Sequence, residues 1–349
     1  MGICKICGKE KGISEKLGVC VDCIRERPEK SIIYIKRVHE EVRKNFNLPP
    51  YQPRAEDGIE CNICGNRCKI GKGEKGYCGL RENENGVLKS KVNSYNALCE
   101  WYYDPIPTNC CASWFCNAEN EGKNLYNLSV FFYGCSFNCL FCQNYSHKFI
   151  EKGPILPIEE LLKKAINDSV YCICFFGGSP EPQLPFTIKF SEEILKIKKV
   201  RICFEWNGNG NENLVMKAGE IAFKSDGIIK FDLKAFDENL NIALTGVSNK
   251  KTYENFKLIA KEFLSKSDFS VLTATTLLVP YYIDEVEIEK IAKFISDINP
   301  RIPYSLLVFY PEFFLNDLPV TPKEIVFKCY DKAKKHLKNV HIGNLHLLL

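Results

Sequence analysis

Three cysteines carry the most specific chemical signal in the sequence. Cys135, Cys139 and Cys142 follow the spacing C-x3-C-x2-C on one short segment. Three thiolates at this spacing can bind three irons of a four-iron, four-sulfur (4Fe–4S) cluster and leave the fourth iron open to a small chelating molecule. A structural zinc ion normally needs four protein ligands, and the neighbouring sequence offers no obvious fourth. We expect Phe141, next to the last thiol, to pack over the cluster or over a cofactor ring.

The sequence contains 19 cysteines, and a second group stands at the N-terminus. It has the spacing C-x2-C-x12-C-x2-C, which is typical of a zinc ribbon or knuckle, and comprises Cys4, Cys7, Cys20 and Cys23. We interpret this group as a structural zinc site. Basic residues around it leave nucleic-acid binding by the knuckle open as an alternative.

The segment that follows contains two further groups of cysteines. One group suits zinc or an auxiliary iron–sulfur cluster, between which spacing does not choose, and comprises Cys61, Cys64, Cys68 and Cys78. The other supplies candidate ligands of an auxiliary cluster and comprises Cys99, Cys110, Cys111 and Cys116. Later cysteines lie inside predicted strands, where a free thiol is usually a core residue: Cys172, Cys174 and Cys203.

Polar residues and glycines follow several predicted strands at the point where each strand ends. They are candidate cofactor-binding residues: Gly177, Gly178, Ser179, Glu181, Glu205, Asn207, Asp232 and Lys234. The C-terminal ends of parallel strands form the functional rim of β/α folds, so these residues are predicted to converge with the cysteine loop. Glu205 and Asp232 end consecutive strands, so their carboxylates are expected to face each other. A solvated rim with a local salt bridge is the alternative for this pair.

Alternating strand and helix patterns position these residues from about residue 127 onward. Runs rich in β-formers span residues 128–134, 170–178, 200–208, 227–234, 269–280 and 302–311, and amphipathic segments separate or follow them. Parallel strands need crossover connections, so this order predicts an α/β fold with a parallel sheet and outer helices. We predict a partial (β/α)6 barrel with a Cys-rich metal-binding N-terminal region. An open doubly wound sheet also fits the pattern.

The same features predict four parts of the chain and exclude some classes of protein. Residues 1–30 form the zinc knuckle, 31–57 a helix and linker, 58–126 a Cys-rich metal-binding segment and 127–349 the partial barrel.

The 47 basic and 43 acidic residues give a net charge of +4, which is too balanced to indicate nucleic acid or an anionic membrane. Neither a membrane span nor an export signal is apparent. We therefore expect a cytoplasmic protein whose grouped thiols bind metal rather than form disulfides.

These motifs together resemble the radical S-adenosylmethionine (SAM) superfamily. More narrowly, they resemble the branch of glycyl-radical-enzyme activases, such as pyruvate formate-lyase activating enzyme, and AmmeMemoRadiSam-type proteins. The resemblance extends from about Cys61 to Asn344, and its further matching points include Gly76-Tyr-Cys78-Gly-Leu-Arg81, Asp104-Pro-Ile106, Thr245-Gly-Val-Ser-Asn249 and Ile342-Gly-Asn344. After Ile106 the chain departs from AmmeMemoRadiSam-type sequences, because Cys110 and Cys111 stand in a segment that tends to read Lys-Lys-Pro-Leu-Tyr-His. This replacement suggests extra cluster ligands and a different substrate.

The resemblance implies a reaction and a set of partners. The open iron would bind the amino and carboxylate groups of SAM, and an electron from the reduced cluster would split SAM into methionine and a 5′-deoxyadenosyl radical. This radical would take a hydrogen atom from a substrate, while the protein positions the cofactors. A low-potential donor such as ferredoxin or flavodoxin would supply the electron.

The resemblance also implies roles for individual rim residues. The backbone of Gly177 and Gly178 would meet the SAM amino group. Ser179 stands where relatives often carry an acidic residue, and Glu181 is the candidate substitute. Glu205 and Asp232 match positions similar to a monovalent-cation site beside the SAM carboxylate, with which Lys234 would pair.

Three functional hypotheses follow. The first is hydrogen abstraction from an unidentified small molecule, lipid, nucleic acid or protein. The second is an activase that installs a glycyl radical on a partner protein. The third is a metal-binding interaction module without catalytic activity. Cleavage of SAM distinguishes the first two hypotheses from the third.

Overall fold

The computed structural model describes residues 2–10, 12–106, 110, 112–116, 124–266 and 271–348. Its helices are α1 (Val21–Glu26), α2 (Pro28–Lys44), α3 (Ile158–Ala165), α4 (Leu184–Ile197), α5 (Glu212–Lys224), α6 (Glu238–Thr245), α7 (Lys250–Phe263), α8 (Glu285–Ile298) and α9 (Lys323–Lys334). None of the helices in these ranges is long and apolar enough to cross a membrane. The strands are β1 (Ile59–Glu60), β2 (Lys69–Ile70), β3 (Arg81–Glu84), β4 (Val87–Ser90), β5 (Asn96–Pro105), β6 (Tyr126–Phe132), β7 (Ile155–Pro157), β8 (Val170–Gly177), β9 (Arg201–Trp206), β10 (Ile229–Asp232), β11 (Leu272–Leu278), β12 (Tyr304–Val308) and β13 (Val340–Gly343).

The main sheet has the strand order β13-β12-β11-β10-β9-β8-β6-β5-β7. Strands from β6 to β13 pair in parallel, except β7, which pairs antiparallel with β5, itself antiparallel to β6. The parallel strands follow one another in chain order without the reversal that defines a doubly wound sheet. The structure therefore confirms the predicted partial β/α barrel. All six predicted strands are present, and β5 and β13 extend the sheet at its two sides.

The alternation of side chains along the strands separates the outer core from the inner cavity. Ile173 and Phe175 of β8 and Phe204 of β9 are fully buried, and the Phe175 ring lies 5.9 Å from that of Phe190 in α4. Each large apolar side chain buried in this way contributes about 1.5–3 kcal/mol to folding. Residues at the alternate positions face inward, which is why the sheet carries polar groups and thiols around its axis.

Helix α6 was not predicted, because it is short and its pattern is weakly amphipathic. The Asp237 side chain caps it by accepting a hydrogen bond from the Leu240 N–H at 2.8 Å. It ends at Gly246, whose φ of +73° is the left-handed conformation that glycine tolerates best. This helix end contacts the cysteine loop described below.

Two segments outside the barrel pack against it. The N-terminal segment docks through Arg25, which forms ion pairs with Asp284 at 3.3 Å and with Glu287 at 2.7 Å. The described part of the loop after β5 lies at the N-terminal ends of the parallel strands, where the Trp114 indole donates to Ser305 Oγ at 3.0 Å and stacks on His341. We call the described residues 110 and 112–116 the plug.

Candidate active site

A cavity of about 560 Å³ opens at the C-terminal ends of the parallel strands. Its wall contains most of the predicted site residues, namely Cys135, Cys139, Phe141, Cys142, Gly177, Gly178, Ser179, Glu205, Asn207, Asp232 and Lys234, together with Cys110 from the plug. The predicted convergence of the cysteine loop with the strand ends is thus observed. Glu181 is not among the residues that line this cavity.

The cysteine loop is held by backbone contacts with the end of α6. Asn138 N–H donates to Thr245 O at 2.7 Å, and Leu140 N–H donates to Leu244 O at 3.0 Å. On the other side, the Asn138 amide contacts His39 Nδ1 of α2 at 2.8 Å. Burial lowers the pKa of His39 to about 4, so this imidazole is neutral and serves as a fixed hydrogen-bonding group.

A buried lysine faces the three thiols. Lys148 is 1% exposed and donates to Asn138 Oδ1 at 2.7 Å, and no ion pair with a carboxylate is found for it among the described residues. Burial lowers the pKa of Lys148, whereas the nearby thiols of Cys142, Cys135 and Cys139 raise it. A buried ammonium group needs a compensating charge, and thiolates at these three positions would provide it.

The three thiols of the loop are not spaced for a single metal ion. Burial raises the pKa of Cys139 to about 11, although Lys234 and Lys148 oppose this shift. Within the described residues, no three potential ligands of this loop lie within 4.8 Å of one another. A tetrahedral zinc ion places its sulfur ligands about 3.8 Å apart, whereas a four-iron cluster binds each thiolate to a different iron. The donor set and the buried Lys148 therefore fit a 4Fe–4S cluster.

Gly177 and Gly178 allow the end of β8 to pack directly on the start of the cysteine loop. Gly177 has a φ of +110°, and a Cβ atom there would lie 2.6 Å from the Phe132 backbone nitrogen. A Cβ atom on Gly178 would lie 2.3 Å from Gly134 O. Both positions thus require glycine, and both expose backbone to the cavity.

A hydrogen-bonded chain connects β8, β9 and the cysteine loop. The Asn207 N–H donates to Ser179 Oγ at 3.3 Å, and Ser136 Oγ donates to Asn207 Oδ1 at 3.0 Å. The Asn207 amide also lies 3.6 Å from Cys135 Sγ. Ser179 donates in turn to a carboxylate oxygen of Glu181.

Glu181 lies behind the cavity wall, which differs from the expectation that its carboxylate would contact SAM. It is fully buried, and burial raises its pKa to about 7, although the Ser179 hydroxyl lowers it. Among the described residues, Ser179 links the Glu181 carboxylate to the cavity wall.

Glu205 and Asp232 face each other as predicted, but a lysine lies between them. The Lys230 ammonium group is 3.2 Å from Glu205 Oε2 and 2.9 Å from Asp232 Oδ1. Lys234 is 3.0 Å from the other oxygen of Asp232. Burial alone would raise the pKa of Asp232, but Lys230 and Lys234 lower it to about 2. An internal ammonium group thus stands where the family resemblance implied a monovalent cation.

The N-terminal group forms a compact metal-binding arrangement. The ligand atoms of Cys4, Cys7, Cys20 and Cys23 all lie within 4.8 Å of one another, with 3.7 Å between the sulfurs of Cys7 and Cys20. This spacing matches the roughly 3.8 Å expected around a tetrahedral zinc ion.

The second group of four thiols is buried but more widely spaced. Burial raises the pKa of Cys64 well above its usual value, and the neighbouring Cys78, Cys68 and Cys61 raise it further. The four thiols are therefore close enough to interact electrostatically. In the described part of the chain, however, the sulfur atoms of this group do not all lie within 4.8 Å of one another, as those of the N-terminal group do.

The third predicted group is not brought together as expected. Cys99 is buried in β5 and lines neither the main cavity nor the smaller one beneath it, whereas Cys110 lines both and Cys116 lines the smaller one. Cys111 lies outside the described residues.

Sequence reasoning missed several site residues, most of which are revealed only by long-range contacts: Asn138, Lys148, Lys230, Trp114 and His341. Lys230 alone left a local signal, since it precedes Asp232 by two residues and therefore shares its face of the strand.

The protein is thus a partial β/α barrel with a loop of three thiols at its C-terminal mouth. Residues 129–295 match the family model described as "Radical SAM superfamily". The chain belongs to the radical SAM superfamily, whose members use a 4Fe–4S cluster and SAM.

The chain is similar to proteins of Methanocaldococcus jannaschii and to a solved structure from Bacteroides vulgatus. An uncharacterized protein of Methanocaldococcus jannaschii is 26% identical over 309 residues, which cover 84% of each chain. A second protein of that organism, named "Putative glycyl-radical enzyme activating enzyme", is 31% identical over 225 residues, which cover 61% of this chain and 79% of the relative. A domain of pyruvate-formate lyase-activating enzyme from Bacteroides vulgatus is 17% identical, with a TM-score of 0.41, and covers 50% of this chain and 99% of that one.

Proposed function

We propose that this chain is a cytoplasmic radical SAM enzyme that binds its 4Fe–4S cluster through Cys135, Cys139 and Cys142 and abstracts a hydrogen atom from an unidentified substrate. The observation that carries the proposal is that the three thiols line the same cavity as all the predicted rim residues except Glu181. When bound and reduced by a donor such as ferredoxin or flavodoxin, the cluster supplies the electron that cleaves SAM to methionine and a 5′-deoxyadenosyl radical.

The protein's own residues compensate charge and exclude water around the bound cluster and SAM. Lys148 compensates the negative charge of the thiolates from within the core. Lys234 is held at the wall by Asp232, so its ammonium group is oriented to donate hydrogen bonds to a carboxylate of the ligand. Gly177 and Gly178 present backbone to the amino group of SAM, and the plug keeps the opposite end of the barrel covered around Trp114.

The central experiment measures SAM cleavage by anaerobically reconstituted protein with a low-potential reductant. We expect 5′-deoxyadenosine and methionine from the wild type and none from Cys135→Ala, Cys139→Ala or Cys142→Ala. Cys329→Ala is the matched control, because Cys329 is a fully buried thiol in α9 that lines neither cavity. Turnover that survives in any of the three loop variants would contradict the assignment of the cluster.

A second measurement tests the rim carboxylates. Glu205→Gln and Asp232→Asn should each weaken SAM binding about tenfold to a hundredfold, which corresponds to about 1.5–3 kcal/mol for a charge-assisted contact. The absorption spectrum of the cluster should not change. Unchanged SAM affinity in both variants would assign these residues to a structural ion-pair network only.

An activase is the second candidate function, and the name of the relative that is 31% identical favours it. A glycyl-radical protein with an Arg-Val-x-Gly loop would then be the substrate. We would incubate such a protein with the reduced enzyme and SAM and record its electron paramagnetic resonance (EPR) spectrum, in which a glycyl radical gives a doublet. Without a doublet, metabolites, lipids and modified nucleosides should be compared between cells with and without the gene.

We also propose zinc at the N-terminal group and an iron–sulfur cluster at Cys61, Cys64, Cys68 and Cys78. The spacing of the two groups supports this division, since only the first is compact enough for one ion. The Cys135/Cys139/Cys142→Ala variant removes the SAM cluster, and adding Cys64→Ala should then release further iron but no zinc. If Cys64→Ala changes zinc rather than iron, the second group is a zinc site.

A further inference from the structure

A second, smaller cavity of about 50 Å³ lies between the plug and the inner wall of the barrel. Its lining contains an unusual number of thiols, which come from the plug and from two neighbouring strands: Cys110, Cys116, Cys172, Cys174 and Cys203. Interior positions of β/α barrels are more commonly filled by Val, Ile and Leu. The sequence indicated core positions for the last three residues, but the structure places them on a cavity wall.

Strand register explains how the three strand thiols come to face one point. Cys172 and Cys174 are two residues apart on β8, so they share a face and their Cα atoms are about 6.6 Å apart. Cys174 is the register partner of Cys203 on β9, and neighbouring strands are about 4.8 Å apart. The three thiols thus form a triangle on the inner surface of the sheet.

The plug supplies the fourth thiol. Cys116 lies within electrostatic range of both Cys172 and Cys203, and Cys174 lies within range of Cys172 and Cys203. Arg201 also lines the cavity and lowers the pKa of Cys172 and Cys203, against the larger opposing effect of burial. Its guanidinium group provides positive charge beside four potential thiolates.

The spacing and the volume favour a multinuclear centre over a single ion. No three of these thiols fall within 4.8 Å of one another in the described part of the chain, so a mononuclear tetrahedral site is not formed. The cavity also exceeds the roughly 10–15 Å³ that one water-sized body occupies. The Ile228 N–H donates to Cys203 Sγ at 3.4 Å, and hydrogen bonds to the sulfurs are one of the factors that set the reduction potential of a cluster.

We propose that Cys116, Cys172, Cys174 and Cys203 bind an additional iron–sulfur cluster of the two-iron, two-sulfide (2Fe–2S) type inside the barrel. This site goes beyond the proposed function and does not depend on it. Cys174, Glu205 and Lys230 line both cavities, so the additional cluster faces the main cavity from below. Cys110 lies at the same boundary and contacts Glu205 Oε1 at 3.4 Å.

Mössbauer spectroscopy of the full-length protein reconstituted with ⁵⁷Fe and sulfide tests this proposal. We expect the wild type to contain a 2Fe–2S component of about two iron atoms per chain in addition to its 4Fe–4S signals. Cys172→Ala/Cys174→Ala/Cys203→Ala should lose this component and about two sulfides. Cys329→Ala, the matched control for a buried thiol, should retain it.

The folding of the triple variant is verified by the EPR signal of its reduced 4Fe–4S cluster, which should still change on addition of SAM. If that variant does not fold, Cys116→Ala serves in its place, since this residue is in the plug rather than in the sheet. A wild type without a 2Fe–2S component, or a component that survives in the folded variants, would overturn the proposal. Zinc at this site in place of iron would also overturn it. Absence of SAM cleavage with the 2Fe–2S component present would refute only the proposed function.

Discussion

Removing the ammonium group between Glu205 and Asp232 should destabilise the protein strongly. The Lys230 side chain is 10% exposed, and its partners are 19% and 30% exposed. At an effective dielectric constant of about 20, unit charges about 3 Å apart attract by roughly 5 kcal/mol, and desolvation offsets much of this attraction. Lys230→Met leaves two facing carboxylates with less compensation, so we expect a loss of about 3–5 kcal/mol in the free energy of unfolding.

Urea unfolding of the anaerobically purified protein, followed by tryptophan fluorescence, measures this loss. The double variant Lys230→Met/Glu205→Gln should regain about half of it, because one of the uncompensated carboxylates is then neutral. Lys293→Met is the control, since Lys293 pairs with Asp297 on an exposed helix face where both side chains are more than 60% exposed, and such pairs contribute at most about 1 kcal/mol. A loss below about 1 kcal/mol for Lys230→Met, or a double variant no more stable than the single one, would refute the reasoning.

Three other perturbations have defined outcomes. Burial raises the pKa of Glu181 to about 7, so the folded state retains a proton that the unfolded state releases near pH 4.3. The stabilisation that this group contributes at pH 4 should fall by about 3 kcal/mol by pH 7, so Glu181→Gln should gain stability relative to the wild type over this range in melting experiments. Equal slopes would contradict the assignment. Gly178→Ala should lower the iron content after reconstitution, because its Cβ atom would lie 2.3 Å from Gly134 O; full iron loading would show that the loop adapts. Removing metal from the group at Cys4 should lower the melting temperature, because metal binding and folding of such a knuckle are coupled, and an unchanged value would exclude a stabilising role.

The barrel and the residues at the C-terminal ends of its strands could be predicted from the sequence. Six β-rich runs separated by amphipathic segments predict parallel strands with crossover helices, and the structure has them in that order. Because parallel strands end at one edge, Glu205, Asp232 and the cysteine loop could be assigned to one place before any contact was known. Local sequence patterns were therefore enough to predict the position of a residue wherever that position is set by the strand that carries it.

Residues whose role depends on a distant partner could not be assigned in this way. His39 reaches Asn138 across 99 residues of sequence, and no periodicity indicates that contact. Lys230 lies in a strand where alternation gives its face, but only the register of β10 with β9 places it opposite Glu205. For the same reason Cys174 and Cys203 looked like core thiols until their pairing was visible.

The docking of the N-terminal segment has a consequence for the order of folding during synthesis. Ser14 Oγ donates to Asp317 across 303 residues, and Arg25 pairs with Asp284 across 259. At about 5–20 residues per second, the ribosome needs roughly 15–60 s to make the partners of this segment after the segment itself. The knuckle is therefore exposed to metal before the barrel exists, whereas its docking must await the last strands. Metal binding by the first residues and their docking onto the barrel are thus separated in time by the path of the chain.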